Sequence, residues 1–186
     1  MRREDREQTT PVSEEDLALK RDLLAAAVLR GTFTLRSGQV SNYYVDKYRF
    51  QARPELLRRV AAAVAALVPP ATERLAGVEL GAVPLVTAVS LHTGIPFVIV
   101  RKDAKEYGTA NLIEGGDIAG RAVTLVEDVC TTGGAALAAA EKIARAGGRL
   151  LRIVTVIDRG EGGIDRERAA GYDAVALFTL SPEDLT

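Results

Sequence analysis

Tryptophan is missing from this chain, and cysteine, histidine and methionine each occur once. A single cysteine cannot close an intrachain disulfide, and with only His92 beside it there is no Cys/His metal cluster. An excess of charge is missing too: 24 Lys and Arg against 25 Asp and Glu leave a formal net charge of −1. Nothing global therefore argues for nucleic acid or an anionic membrane, and attraction for a polyanion must come from a local patch. No apolar run reaches the length of a membrane span, and Met1 to Thr10 is polar, unlike a signal peptide, so a cytoplasmic protein is expected. What is there suits a soluble globular protein: 186 residues, 47% hydrophobic and 26% charged, enough for one full core. Residues 1–12 read as a flexible charged tail and 13–186 as a single domain, with no repeat or composition shift to divide it.

The most informative stretch runs from Val123 to Ala135 (VTLVEDVCTTGGA). Val123 to Val126 reads as a buried strand, with Glu127 and Asp128 side by side at its carboxyl end. Thr131, Thr132, Gly133 and Gly134 then lead into an alanine-rich helix. In open α/β sheets, ligands bind beyond the carboxyl ends of the strands. Free N–H groups at a helix amino terminus favour an anion there. Two carboxylates beside that anion are unfavourable unless they hold hydroxyl groups or a cation. A sugar phosphate meets both needs.

The rest of the chain supplies a frame. Ser13 and Asp16 approximate a capping box, and Leu17, Leu23, Leu24, Ala27 and Val28 recur at helical spacing up to a stop at Gly31. Gly31 to Asp46 reads as a hairpin-like pair around Ser37-Gly38-Gln39. Tyr43, Tyr44 and Arg36 could cover a planar ligand there, although tyrosines filling a hairpin's core face is the plainer account. Pro54 opens a helix whose stripe of Leu56, Leu57, Val60, Val64 and Leu67 ends at Pro69-Pro70. Gly77 to Leu80 predicts a strand, Leu85 to His92 a helix and Phe97 to Val100 a strand, a βαβ unit that implies a parallel sheet.

Arg101 to Gly116 is a long polar segment. Its cations Arg101, Lys102 and Lys105 suit a departing phosphate group, and Gly108, Gly115 and Gly116 would let a lid close. A solvated loop, with Asp103 and Glu106 balancing the cations, explains it as well. Ala135 to Ala146 predicts a helix with Leu137 and Ile143 inward, stopped by Gly147-Gly148. Strands follow at Leu150 to Ile157 and Asp173 to Leu180, and Arg159, just past the first of them, is placed to meet a substrate carboxylate.

The stretch Val123 to Ala135 resembles the phosphoribosyl diphosphate (PRPP) signature of type I phosphoribosyltransferases; it is neither a Walker A loop nor G-x-G-x-x-G. Three more segments narrow the resemblance to the orotate phosphoribosyltransferases: Phe33 to Tyr44 (FTLRSGQVSNYY), Arg101 to Gly108 (RKDAKEYG) and Asp158-Arg159. The resemblance implies an α/β fold, a parallel sheet flanked by helices with a small N-terminal hood or hairpin. It implies transfer of the 5-phosphoribosyl group of PRPP to orotate, giving orotidine 5′-monophosphate and pyrophosphate in pyrimidine synthesis. Mg²⁺ would be bound mainly through PRPP. The implied partner is a second copy, a homodimer with shared active sites, and neither nucleic acid nor membrane.

Residue by residue, the resemblance makes Lys105, Glu127 and Asp128 the catalytic residues, the two acids holding ribose hydroxyls. PRPP would also meet Arg36, Arg101, Lys102, Tyr107, Val129, Cys130, Thr131, Thr132, Gly133, Gly134 and Ala135. Orotate would meet Tyr44, Val45, Thr131 and Arg159. Cys130 reads as a small loop residue, because orotate's ring nitrogen is itself the nucleophile. Tyr107 stands where many members have histidine, Gly81 to Leu85 lacks a Tyr-Lys pair that many carry, and Arg36 replaces a lysine. Two alternatives follow: a phosphoribosyltransferase for another, purine-type base, and a non-catalytic PRPP-sensing regulator.

Overall fold

The computed structural model describes residues 13–34, 38, 40–103 and 112–185. The expected tail, the hairpin turn around Ser37 and Gln39, and the candidates Arg36, Lys105 and Tyr107 lie outside the described residues. Helix α1 (Glu14–Ala27) opens on the expected capping box: Ser13 Oγ accepts from the Asp16 N–H at 3.1 Å, and Asp16 Oδ2 accepts from the Ser13 N–H at 3.2 Å. It does not run on to Gly31. Val28 continues the apolar spacing, but its backbone is extended and starts strand β1 (Val28–Thr34), which pairs antiparallel with β2 (Val40–Val45). The hairpin is thus as expected but begins three residues earlier, because Val-Leu-Arg before Gly31 finds a cross-strand partner.

Next come α2 (Lys47–Gln51), α3 (Pro54–Leu67), β3 (Arg74–Val78), α4 (Val83–Thr93), β4 (Phe97–Val100) and β5 (Ile113–Glu114). They are followed by β6 (Ala122–Cys130), α5 (Gly134–Arg145), β7 (Arg149–Asp158), α6 (Gly163–Ala169) and β8 (Ala174–Thr179). A short 3₁₀ turn at Pro182–Leu185 ends the described chain. The main sheet has six strands in the order β5-β4-β3-β6-β7-β8, parallel throughout except for β5. Among the described residues no helix is long and apolar enough to cross a membrane.

Four expectations are corrected. Strand β3 spans Arg74–Val78, three residues ahead of the expected Gly77 to Leu80; the weak strand formers Ala76 and Gly77 hid its start, and Glu79 to Ala82 form the turn after it. The segment after Arg101 is not all loop, since β5 returns antiparallel along β4. Helices α2 and α6, five and seven residues long, were not expected, being too short to show periodicity. On α5 the alanines Ala136, Ala139 and Ala140 are buried with Ile143, while Leu137 is only half-buried.

Chain order fixes where the site must be. β3 leads outward through α4 to β4, while β6 leads the opposite way through α5 to β7. Right-handed crossovers running in opposite directions put their helices on opposite faces and open a crevice at the carboxyl ends of the two central strands. Adjacent residues of β6 accordingly serve different cores: Val126 packs with α1, α3 and α4, and Leu125 packs with α5 and α6. A central parallel strand buried on both faces has to be a nearly unbroken apolar run, which is why Val123 to Val126 was so legible.

Candidate active site

Strand β6 does not stop where the apolar run does; it carries Glu127 and Asp128 inside it, paired to β7 on one side, and ends at Cys130. Both carboxyl groups are buried, at 6% and 1% exposure. Consecutive on the strand, they lie close enough to act on each other and on the same Lys47. Glu127 lines a cavity of about 420 Å³ together with Ala135, Ala138 and Ala139 of α5. Asp128 turns toward α2, where Lys47 Nζ lies 3.0 Å from its Oδ2, while its Oδ1 accepts the Val129 N–H at 2.7 Å. Gly81, after β3, backs this ion pair so closely that a Cβ would run into Asp128 Oδ2 and Lys47 Nζ. The glycine turn is therefore more than a routine strand–helix connection.

Electrostatics separate the two acids. Burial, then the neighbouring Asp128, pushes the Glu127 carboxyl well above the ordinary range, with Lys47 pulling the other way. Burial alone would lower the Lys47 ammonium, but Asp128 and Glu127 outweigh it and hold Lys47 above its usual value. Glu127 Oε2 is buried without a partner. That orphaned oxygen beside Asp128 fits a hard cation that keeps most of its ligands on substrate oxygens and water. Among the described residues no group of three or more His, Cys, Asp or Glu is placed to hold a metal ion alone.

Beyond β6 the chain turns through Thr131 and Thr132 to Gly133, at φ +74°, and α5 begins without a side-chain cap. Its first N–H groups are left for an anion. Val129, Thr131, Thr132, Gly133, Gly134 and Ala135 line a small cavity of about 60 Å³ there. Cys130 borders this hollow as well, and its buried Sγ lies 3.4 Å from Glu167 Oε1 on α6, which lines it too. It is the last residue of the strand and not a loop residue as expected. Gly163, opening α6, leaves no room for a Cβ against Cys130 Sγ and the Thr131 carbonyl.

Arg159 follows β7, its N–H donating to the Cys130 carbonyl at 3.0 Å. Its guanidinium is held by the Tyr43 hydroxyl at 2.9 Å and by Glu161 at 3.0 Å, and lies 4.9 Å over the Tyr43 ring. Arg159 Nε is buried and unpartnered. Of the hairpin residues it is thus Tyr43 that reaches Arg159; Tyr44 is exposed and packs on Phe33, and Val45 is buried in the core. On the other side of the crevice Arg101 and Lys102 follow β4 and share the 420 Å³ cavity with Glu127 and Lys47. Arg101 lies 3.5 Å from Glu79, whose carboxylate also accepts the Lys102 N–H at 2.6 Å. A cavity of about 700 Å³ beside Leu112 to Ile118 touches neither Glu127 nor Asp128.

Sequence reasoning missed Lys47, Glu79 and Glu167. A buried acid pair calls for a buried cation, but 24 Lys and Arg offered no local sign of which one supplies it.

A family model described as the phosphoribosyl transferase domain matches residues 57–173. An orotate phosphoribosyltransferase of Nocardioides sp. is 51% identical over 169 residues, covering 91% of this chain and 94% of its own. That of Natronomonas pharaonis is 47% identical over 161 residues, covering 87% and 91%. Among solved structures, Mycobacterium tuberculosis orotate phosphoribosyltransferase in complex with PRPP superposes with a TM-score of 0.77 at 30% identity, covering 92% of this chain and 98% of that one. With 51% of residues identical over 91% of its length to one such enzyme, and the crevice built around the PRPP signature, the chain belongs to the orotate phosphoribosyltransferases of the phosphoribosyl transferase domain family.

Proposed function

We propose that this crevice transfers the 5-phosphoribosyl group of PRPP to orotate, giving orotidine 5′-monophosphate and pyrophosphate. One arrangement carries the reading: a buried carboxyl pair at the switch point, with an uncapped helix N-terminus on one side and cations at Arg101, Lys102 and Arg159 on the others. The 5′-phosphate sits on the turn Thr131 to Ala135. Glu127 and Asp128 hold the ribose hydroxyls and polarise the sugar as positive charge develops at C1. Arg101 and Lys102, with Lys105, receive the negative charge of the departing pyrophosphate. Arg159 pairs with the carboxylate of orotate, whose ring nitrogen attacks C1, so no protein nucleophile is needed; the hairpin closes over the base through Tyr43 and Tyr44.

Glu127 Oε2 and Asp128 are the oxygens this chain would offer a Mg²⁺ ion bound with PRPP, which would supply charge neutralisation for the leaving group. The enzyme works as a cytoplasmic homodimer in which the segment carrying Lys105 completes the neighbouring subunit's site. The test is loss of orotate absorbance with PRPP and Mg²⁺, on wild type and Lys105→Ala. Turnover in the wild type and a drop of about 10²-fold or more in the variant are expected. Consumption of PRPP with adenine or hypoxanthine but not orotate would favour the purine-type alternative. Salt-sensitive DNA binding without pyrophosphate release would favour a regulator.

A further inference from the structure

Lys142 stands on α5, two turns past the phosphate-binding end of that helix, roughly 12 Å along its axis from Gly134. Its ammonium donates to two backbone carbonyls across the crevice, Arg101 at 2.9 Å and Lys102 at 2.6 Å. The same two residues are tied from other directions. The Lys102 N–H donates to Glu79 Oε1 at 2.6 Å, and the Arg101 N–H donates to the Leu112 carbonyl at 2.9 Å. Glu79, Arg101, Lys102 and Lys142 all line the 420 Å³ cavity that also holds Glu127 and Lys47. Among the described residues no carboxylate pairs with Lys142, so its charge is not cancelled by a neighbouring side chain.

We propose that Lys142 is a positioning residue for the leaving-group side of the site: it holds the Arg101–Lys102 backbone in place and masks two carbonyl oxygens from the incoming polyanion. This rests on the phosphoribosyl-transfer reading above. The physical need is plain. Carbonyl oxygens are acceptors with negative partial charge, and two of them at the rim of a pyrophosphate site would repel it and leave the guanidinium and ammonium of Arg101 and Lys102 free to swing away. A lysine supplies three donors and a full charge at one point. Here two of the donors are spent on the carbonyls, and the helix that carries them also begins at the phosphate turn. The two ends of PRPP are thereby gripped by one rigid element.

The experiment measures pyrophosphate and ribose 5-phosphate binding by calorimetry, and turnover with PRPP and orotate, on wild type, Lys142→Ala and Lys142→Arg. In Lys142→Ala, pyrophosphate affinity and kcat are expected to fall about tenfold, as for loss of charged hydrogen bonds. Ribose 5-phosphate affinity and KM for orotate stay within about twofold, since the phosphate turn and the base side are untouched. Lys142→Arg, which keeps charge and donors, restores most of the loss. Pyrophosphate affinity and kcat unchanged in Lys142→Ala would overturn the proposal. So would equal loss for pyrophosphate and ribose 5-phosphate, which marks general damage to the fold. Wild-type protein that binds neither ligand and turns over no orotate would instead overturn the transfer reading on which the proposal stands.

Discussion

Two buried acid sites flank the same turn and differ in their partners. In front of it, Glu127 and Asp128 share Lys47, which reaches Asp128 at 3.0 Å from a separate element, α2. Beside it, among the described residues, Glu167 meets the Cys130 thiol at 3.4 Å, and its second oxygen is unpartnered. Arg168 draws the Glu167 carboxyl down only weakly, against burial and the charge of Asp158. Both sites are removed from water and both lie within a few residues of Thr131. The difference is one cation. A buried carboxyl group is tolerated where a partner and further hydrogen bonds meet it, as Lys47 and the Val129 N–H meet Asp128; Glu127 and Glu167, each with an unpartnered Oε2, are both pushed toward their neutral forms by burial. The front pair thus keeps one carboxyl group paired to a cation in the crevice, while Glu167 and the Cys130 thiol border the small hollow at the turn with no cation paired to them among the described residues.

Removing the cation should break the contrast most strongly. Lys47→Ala leaves Asp128 facing the crevice with no counter-charge, and the front site then resembles the Glu167 site. A loss of about 2 kcal/mol in unfolding free energy is expected, below the full cost of a broken buried pair because Lys47 is 34% exposed. Orotate turnover should fall further than the stability loss explains, because the acids' charge balance changes. Gly81→Ala offers an independent route, since its Cβ would enter the space of Asp128 Oδ2 and Lys47 Nζ. Denaturant titration and steady-state rates for both variants are the check; wild-type behaviour in Lys47→Ala would mean that the ion pair is incidental.

The two sites also differ in how far the sequence betrays them. The front acids announce themselves because β6 is buried on both faces: an apolar run that ends in Glu127-Asp128 and then Thr-Thr-Gly-Gly is a rare local pattern. Arg159 is legible for the same reason, following the run Ile153 to Ile157. Lys47 and Glu167 are not. Each lies on a helix too short for a periodic stripe, 81 and 37 residues from its partner respectively, and only the register of the sheet brings them together. The start of β3 is hidden because Ala76 and Gly77 have weak strand preference, yet both are buried in the centre of the sheet. Local pattern marks what lies along one strand; side-chain pairs between elements depend on topology, which no single window contains.

A smaller effect sharpens the contrast through pH. Burial, ahead of the charge of Asp158, raises the Glu167 carboxyl above its ordinary 4.5, against the Cys130 contact and Arg168. Below that ordinary value the carboxyl is neutral in both folded and unfolded chains, and its ionisation adds no penalty. As pH rises, the unfolded chain ionises first, and folded stability is lost until the native carboxyl ionises too. Glu167→Leu should therefore be more stable than wild type at neutral pH, by about 1 kcal/mol from the removed unpartnered oxygen. The gap should close on acidification toward the ordinary carboxyl range. Parallel stability–pH curves for the two proteins would show that Glu167 is charged and paired in the fold after all.

The weakest link is the thiol, and it tests whether the Glu167 site is coupled at all. Burial, then Glu167, pushes the Cys130 thiol up to about 12, so it is a neutral S–H through the physiological range. A thiol reagent at pH 8 should leave the native protein unmodified and react at once with the urea-unfolded chain. As a weak donor, the S–H contributes little to Glu167, on the order of 0.5 kcal/mol. Cys130→Ala by itself cannot reveal that, because it also removes a buried sulfur and leaves space beside Gly163. Measured in both the wild-type and Glu167→Leu backgrounds, the packing loss cancels and only the S–H···O contact remains. A coupling of about 0.5 kcal/mol would make the pair a real, if minor, tie between β6 and α6. A coupling of zero would mean that the two groups are merely neighbours, and that α6 is held to the turn by the close approach of Gly133 and Gly163 instead.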